Sequence, residues 1–200
     1  MKTEVPQHVI KTNSPNNLIY ELGFIHGRFQ ILHNDHRKYL LAGKALCRHL
    51  IVGITNPDPS LTREDSTDLN RSCTEANPLT YYERQMLIRE TLIEAGVENR
   101  DFTIVPFPVN LPELYFCYVP QEAVFFVSIY DDWGRKKRDT FIRLGLQTHV
   151  LWEVLPEEKG LSGSDIRQAI VENQPWEHLV PPAVARLVNV WNLRARLQHP

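Results

Sequence analysis

Short apolar runs alternate with segments of helical periodicity along most of the chain. One apolar run covers Leu18 to His26 and is stopped by Gly27, and another covers His49 to Thr55. Further runs of the same kind occupy 101–109, 123–130 and 148–154. Runs of this kind are typical of strands that are buried on both faces of a parallel sheet. Because parallel strands need long crossovers, the order of the runs predicts helices that cover both faces of the sheet.

The segments between these runs place apolar residues at helical spacing. The pattern predicts helices over 36–46, 80–96 and 135–144, a further helix that begins at Ser162 or Ser164, and a last amphipathic helix over 181–197. Thr80 is a candidate N-cap, and Glu83 follows three residues later, as in a capping box. The sequence therefore predicts an α/β fold, a doubly wound parallel sheet in a single domain with C-terminal helices.

Two segments fall outside this alternation. Residues 1–17 are polar and end in a loop-like composition, so they are predicted to be an N-terminal extension of a domain that covers 18–200. Residues 56–77 are rich in Pro, Ser, Thr, Asp and Asn, and they form a loop inserted into that domain. A connection of this length inside a compact domain is often functional, so the insertion could act as a lid.

Composition limits the classes of partner. Two hundred residues with 42% hydrophobic content are enough for one sizeable core. The net charge of -2 gives no general attraction to nucleic acid or to anionic lipid, so neither partner is predicted. A cytoplasmic protein with reduced thiols is predicted, because three cysteines fit neither a disulfide framework nor a zinc site, and 1–17 lacks the apolar block of a signal peptide. Oligomeric state is left open, including a homo-oligomer.

The first candidate site follows the first apolar run. Gly27 and Arg28 end that run, and His33 and His36 stand three apart at the start of the next helix. A helix N-terminus offers free N–H groups and partial positive charge, Arg28 can bind a phosphate through two hydrogen bonds, and the imidazoles add donors. The pattern indicates a phosphate site. The alternative is a pair of surface histidines in a turn. A metal would need a third ligand, which the spacing does not supply.

The second candidate site is the segment Leu161-Ser162-Gly163-Ser164-Asp165-Ile166-Arg167. Ser162, Ser164 and the N–H groups of the first helical turn would face an incoming anion, and Arg167 follows on the same turn or the next. The alternative is an ordinary serine N-cap beside a solvated arginine. Two anion sites that open two helices predict one ligand with several phosphates.

Both motifs resemble those of a known superfamily. Gly27-Arg28-Phe29-Gln30 followed by His-x-x-His resembles the first motif of the nucleotidylyltransferases, and 161–167 resembles their C-terminal signature. Segments elsewhere resemble the archaeal-type nicotinamide-nucleotide adenylyltransferases, namely Asn77-Pro78-Leu79-Thr80 with Glu83-Arg84, Ile104-Val105-Pro106 and 175–181. The resemblance covers about 18–190.

The resemblance implies a Rossmann-like enzyme that transfers a nucleotidyl group from a nucleoside triphosphate to a phosphate-bearing small molecule. Pyrophosphate would be released with help from Mg²⁺. The specific activity it favours is adenylyl transfer from ATP to nicotinamide or nicotinate mononucleotide. By position, Gly27 and Phe29 would line the nucleotide site, and His33 and His36 would contact the phosphates and stabilise the transition state. The β- and γ-phosphates would be held by Arg28 and Arg167, with Ser162 and Ser164 adding contacts.

The chain departs from the superfamily's first motif at one position. Asp35 stands where the His-x-Gly-His pattern has glycine. The carboxylate could hydrogen-bond a ribose hydroxyl of the nucleotide, turn outward, or reduce activity. The last outcome would leave a nucleotide-binding sensor instead of an enzyme.

A second departure points to a different donor. Asp131-Asp132-Trp133-Gly134 resembles the Asp-Asp-Trp-x-Gly-Lys segment of cytidylyltransferases in the same superfamily. Asp132 and Trp133 are therefore candidates for nucleotide contact, Trp133 by stacking on a base or a pyridine ring. The alternative is a solvated basic helix start after an acidic turn. This resemblance implies an alternative activity, cytidylyl transfer to a small phosphorylated or phosphonate acceptor. Three aromatic residues could form a stacking wall for a planar acceptor ring: Phe107, Tyr115 and Phe116. The alternative, which is the more common one for aromatic residues at this spacing, is that they belong to the core.

Overall fold

The computed structural model describes residues 18–58, 60, 76–154 and 160–198. The predicted extension over 1–17 and most of the predicted insertion over 56–77 lie outside these residues. Within the described part, no helix is both long enough and apolar enough to cross a membrane.

Five parallel strands form one sheet, as the sequence predicts. The strands are β1 (Tyr20–Gly27), β2 (Cys47–Ile54), β3 (Phe102–Pro106), β4 (Val124–Ile129) and β5 (Thr148–Glu153). Their order across the sheet is β3-β2-β1-β4-β5. The chain therefore proceeds in one direction from β1 to β3 and returns to place β4 on the other side of β1. This reversal creates a crevice at the carboxyl ends of β1 and β4, where α/β sheets bind ligands.

Seven α-helices connect or follow the strands in the described residues. They are α1 (Asn34–Lys44), α2 (Tyr81–Glu94), α3 (Tyr115–Tyr118), α4 (Asp132–Arg143), α5 (Gly163–Val171), α6 (Pro182–Val190) and α7 (Leu193–Gln198). Thr80 caps α2 and forms the predicted capping box with Glu83. The α/β fold with a doubly wound parallel sheet is confirmed.

Several helix boundaries differ from the prediction. Helix α1 begins at Asn34 because His33 takes the extended N-cap conformation. Helix α4 begins at Asp132 because the Asp131 carboxylate accepts a hydrogen bond from the Gly134 N–H. The single helix predicted over 181–197 is wrong. It is divided into α6 and α7 at Asn192, whose φ of 48° is left-handed and interrupts the helix.

The two faces of the sheet pack against different sets of helices. Ile25 on β1 belongs to the core that includes residues of α1, α2, α5, α6 and α7. Its neighbour Phe24 points to the opposite face, where it packs with Tyr115 of α3 and Phe141 of α4. By the same alternation His26 lies on the face of α3 and α4, where its ring is 5.6 Å from that of Phe141.

Candidate active site

A cleft of about 290 Å³ opens at the carboxyl ends of β1 and β4. It contains residues of both sequence motifs, although these motifs come from opposite halves of the chain. The predicted site residues in its lining are Gly27, Arg28, Phe29, His33, Asp35, His36 and Ser162. The structure therefore places the start of α1 and the start of α5 beside one shared space.

His33 and His36 form a stacked pair at the start of α1. Their ring centroids are 3.7 Å apart and the rings are inclined by 29°. The three-residue spacing in the first helical turn brings the two side chains together. His36 Nδ1 accepts a hydrogen bond from the His33 backbone N–H at 3.4 Å. A neutral His36 therefore carries its proton on Nε2.

Burial keeps both imidazoles neutral in the free protein. It lowers the pKa of His33 to about 4, and the carboxylates of Asp35 and Asp165 only partly oppose this shift. The pKa of His36 is also well below its ordinary value, first because of burial and then because of His33 and Arg28. Among the described residues, the buried His33 Nδ1 has no hydrogen-bond partner. The pair can therefore offer polar contacts to a ligand, but it brings no fixed positive charge of its own.

The second motif begins with an ordinary serine cap that also lines the cleft. Ser162 Oγ accepts a hydrogen bond from the Asp165 N–H at 3.2 Å, and it lies 2.7 Å from the Asp165 carboxylate. The start of α5 presses directly on the first motif, because a Cβ on Gly163 would lie only 2.3 Å from the Gln30 carbonyl oxygen. Glycine at position 163 is what allows the two motifs to approach this closely.

Ser164 and Arg167 stand beside the cleft and are not part of its lining. Arg167 is half-buried and donates to the Gln30 carbonyl and, at 3.1 Å, to Ser164 Oγ. The alternative interpretation of this motif required a solvated arginine. The hydrogen bonds of Arg167 show that its guanidinium is not simply solvated. Arg167 links the two motifs in this conformation, and its contact with a phosphate stays a prediction.

Asp35, which replaces the motif glycine, holds the second motif against the first. Its Oδ2 accepts a hydrogen bond from the Leu161 backbone N–H at 2.7 Å. A Cβ on Gly160 would lie 2.2 Å from the same oxygen, so the carboxylate is packed closely against this loop. We call this contact the Asp35–Leu161 clasp. Asp35 therefore has a structural role at the site. This role differs from two of the possibilities considered from the sequence, an outward-turned side chain and a contact with a ribose.

The segment that resembles cytidylyltransferases contributes Asp131 to the cleft, where it caps α4. Asp132 is not part of the lining; its side chain is 91% exposed and forms an ion pair with Arg135 at 3.0 Å. The predicted nucleotide contact of Asp132 would therefore require a ligand that extends beyond this cleft. The side chain of Trp133 lies outside what the structure describes, so its predicted stacking stays a prediction.

The predicted aromatic stacking wall is wrong. Phe107 and Tyr115 are fully buried and pack against each other with ring centroids 4.5 Å apart. Phe116 is 54% exposed, and none of the three lines the cleft. Phe107 and Tyr115 belong to the core of the α3 and α4 face because each buries a large apolar area there.

Two residues that the sequence analysis did not single out as site residues position the cleft. The buried guanidinium of Arg84 donates to the backbone carbonyls of Thr55 at 2.7 Å, Asn56 at 2.8 Å and Arg28 at 3.2 Å. It thereby fixes the turns that follow β1 and β2. Gln30 exchanges two hydrogen bonds, both of 2.9 Å, with the backbone of Leu79. Arg84 could be seen in the sequence only as part of a resemblance, because nothing local indicates which carbonyls it would reach.

Two further polar residues line the half of the cleft that faces α4. His26 is 5% exposed, and its Nε2 has no hydrogen-bond partner among the described residues. Lys137 of α4 lines the same half. A polar residue at the end of an apolar strand run was the available signal for His26. No group of three or more His, Cys, Asp or Glu side chains that could hold a metal ion occurs in the described part of the chain.

The arrangement is that of an α/β protein in which two sequence motifs open two helices at one cleft. Comparison with known proteins gives the family. The chain is 51% identical over 176 residues to a phosphonoformate cytidylyltransferase of Streptomyces viridochromogenes. The aligned region covers 88% of this chain and 95% of that protein. It is 32% identical over 167 residues to a nicotinamide-nucleotide adenylyltransferase of Picrophilus torridus. This aligned region covers 83% of this chain and 89% of that protein. The protein belongs to the nucleotidylyltransferases and is an enzyme of that family.

A solved structure supports the fold. The bifunctional NMN adenylyltransferase/ADP ribose pyrophosphatase of Francisella tularensis superposes with a TM-score of 0.63 at 14% identity over 90% of this chain. The chain spans about half of that protein, 52% of its length. No protein-family model matches the chain.

Proposed function

We propose that this enzyme transfers a cytidylyl group from CTP to a small phosphonate or phosphate acceptor and releases pyrophosphate. The observation that carries the transferase chemistry is the single cleft shared by the starts of α1 and α5, with His33 and His36 stacked inside it. The preference for CTP is supported by identity. The cytidylyltransferase relative is 51% identical, compared with 32% and 29% for adenylyltransferases of Picrophilus torridus and Thermococcus onnurineus.

The reaction needs no side chain that acts as nucleophile. A phosphate monoester has a second pKa of about 6, so at neutral pH it is mostly a dianion that can attack without losing a proton. In the proposed step one acceptor oxygen forms a bond to the α-phosphorus of the triphosphate. The bond from that phosphorus to the oxygen bridging to the β-phosphate breaks, and pyrophosphate leaves with the electron pair. The protein must align the reactants and stabilise the charge on the phosphoryl oxygens.

The geometry supports distinct roles for the two motifs. The His33 and His36 imidazoles would donate hydrogen bonds to the α-phosphate and, as negative charge builds, would become easier to protonate. Arg28 would hold the departing phosphates through charge-assisted hydrogen bonds. The N–H groups at the start of α5 would add partial positive charge. Arg167 would join them only if a phosphate displaced its bond to the Gln30 carbonyl.

The shape of the cleft supports a small acceptor. Its wall on the α3 and α4 face rests on buried aromatic rings, and the predicted stacking residues Phe107, Tyr115 and Phe116 do not line it. In this proposal Mg²⁺ enters as a counter-ion of the triphosphate.

The test is a pyrophosphate-release assay of the purified enzyme with each donor and acceptor in turn. CTP and ATP would be paired separately with phosphonoformate, with glycerol 3-phosphate and with nicotinamide mononucleotide, all with Mg²⁺. We expect turnover with CTP and one of the two small acceptors, with kcat/KM at least tenfold above that for ATP. Preference for ATP with nicotinamide mononucleotide would contradict the cytidylyl proposal while leaving the transferase class intact.

Adenylyl transfer to nicotinamide mononucleotide is the second candidate. It is supported by the adenylyltransferase relatives and by the Thr80, Glu83 and Arg84 segment, which the structure places directly behind the cleft. Dinucleotide formation, detected by chromatography of the products, separates this candidate from the first.

A further inference from the structure

His26 is a buried polar group that the phosphate motifs do not use. Its ring packs among aromatic residues, 5.8 Å from that of Phe24, 5.3 Å from that of Phe107 and 5.6 Å from that of Phe141. It is 5% exposed, yet it lines the cleft, and its Nε2 has no partner among the described residues. A buried nitrogen without a hydrogen bond is costly, so its position at a ligand cleft indicates that a ligand supplies the missing bond.

Lys137 provides a positive charge in the same half of the cleft. It lines the cleft from α4, and its charge adds to burial in lowering the pKa of His26 well below the ordinary value. His26 is therefore neutral at neutral pH. A neutral imidazole can donate one N–H to an anionic oxygen while Lys137 supplies the charge, so the two residues together suit an acidic group.

This half of the cleft is separate from the phosphate motifs. Phe24 and His26 lie on the sheet face of α3 and α4, whereas α1 and α5, which begin at His33 and Ser162, pack on the other face. The crevice at the end of β1 joins the two halves. If the triphosphate occupies the half with the helix starts, the acceptor must enter from the half with His26.

We propose that His26 and Lys137 form an acceptor seat, which binds an acidic group of the acceptor other than the phosphoryl group that attacks. The inference rests on the proposed function and adds the substrate class. The acceptor is a small molecule with two acidic groups, such as a phosphonate or phosphate that also carries a carboxylate. The attacking oxygen must reach an α-phosphorus near His33 and His36, so the group held at His26 has to be the second acid.

The test measures acceptor specificity in the full-length enzyme with saturating CTP and Mg²⁺. The two-acid acceptors are phosphonoformate and phosphonoacetate, and ethylphosphonate is the acceptor of similar size that lacks the carboxylate. We expect kcat/KM for one two-acid acceptor to exceed that for ethylphosphonate at least tenfold. His26→Phe keeps an aromatic ring in the cluster, and Lys137→Gln keeps the length of the stem.

Each variant should raise the KM for the two-acid acceptor at least tenfold while the KM for CTP stays within about twofold. Lys136→Gln is the matched control, because Lys136 is the exposed neighbour outside the cleft lining, and its kinetics should equal those of the wild type. Lys137→Gln keeps the test decisive if His26→Phe folds poorly, and thermal unfolding reports folding in each case.

The outcomes separate this inference from the proposed function. Absence of pyrophosphate release with every donor and acceptor would overturn the proposed function and the acceptor seat with it. Turnover that is as fast with ethylphosphonate as with the two-acid acceptors would overturn the acceptor seat alone. So would variants of His26 and Lys137 that change only the KM for CTP.

Discussion

At the scale of single residues, the aspartate in the first motif is the most informative departure from the superfamily pattern. Asp35 occupies a position where glycine would leave the Leu161 N–H free to face a ligand. Instead its carboxylate accepts that N–H at 2.7 Å and joins the two phosphate motifs. The same carboxylate that adds negative charge to the cleft therefore also positions the loop that leads into α5.

Substitution of Asp35 separates its hydrogen bond from its charge. Asp35→Asn keeps an oxygen that can accept from the Leu161 N–H, so we expect kcat/KM for the triphosphate within about threefold of the wild type. Asp35→Gly removes the clasp. A hydrogen bond to a charged group is worth about 1.5–3 kcal/mol, so kcat/KM should fall roughly ten- to hundredfold. Steady-state kinetics with both variants measures this. An Asp35→Gly enzyme more active than the wild type would indicate that the aspartate reduces activity.

The sequence allowed the histidine pair to be located but left its charge state open. The spacing of His33 and His36 and the preceding glycine are local features, so they could be read directly. Their pKa values depend on burial by segments distant in sequence, and that of His33 depends also on the charge of Asp165 in α5. For the same reason the roles of Arg84 and His26 were missed, because each depends on which backbone or rings the fold brings near.

At the scale of elements, the site is set by how α2 supports the turns after β1 and β2. Arg84 projects from the first turn of α2, and its guanidinium donates to four backbone carbonyls in the turns that follow these two strands. Burial lowers its pKa to about 10, which still leaves it charged at neutral pH. A charged group that is buried this deeply is retained only if its hydrogen bonds are satisfied.

Arg84→Lys should therefore loosen the cleft. A lysine ammonium cannot donate to all of these carbonyls as the planar guanidinium does, so buried acceptors lose their partners. We expect the free energy of unfolding to fall by at least about 2 kcal/mol, together with a higher KM for the triphosphate. Arg89→Lys on the same helix is the control, since Arg89 is 43% exposed and pairs with neighbouring Glu90. Denaturant unfolding of both variants is the measurement, and equal stabilities would contradict this role for Arg84.

Element boundaries were predicted well where a capping side chain is local and poorly where it is not. Thr80 and Glu83 could be identified because the capping box spans four residues of sequence. The interruption at Asn192 was missed because the apolar spacing continues through it, and only the left-handed backbone ends α6. The meeting of the two helix starts was predicted from a shared ligand with several phosphates, but the close contact that Gly163 allows between them was not.

At the scale of the whole molecule, the order of the strands explains why the two motifs meet. The chain reverses direction across the sheet between β3 and β4, which leaves a crevice at the end of β1. Helix α1 begins at this crevice on its way to β2, and the segment after β5 reaches it from the opposite half of the sheet. Alternating strands and helices predicted the parallel sheet, because the apolar runs and the helical spacing are local features of the sequence. The division of the cleft into two halves could not be predicted, because it depends on which face of the sheet each side chain near the end of β1 points to.

The buried histidines should also make the whole fold sensitive to acid. His26, His33 and His36 all have a pKa below the 6.5 of the unfolded chain, His33 at about 4, so the unfolded state binds more protons below pH 6.5. Stability is then fully present above pH 6.5 and is lost as pH falls towards 4. For His33 alone the loss between pH 7 and pH 5 is about 2 kcal/mol. Urea unfolding at both pH values should give this slope, and His33→Gln should reduce it. A stability that does not change between pH 7 and pH 5 would mean that these imidazoles are protonated in the folded enzyme. The neutral pair of His33 and His36, on which the proposed catalysis depends, would then have to be abandoned.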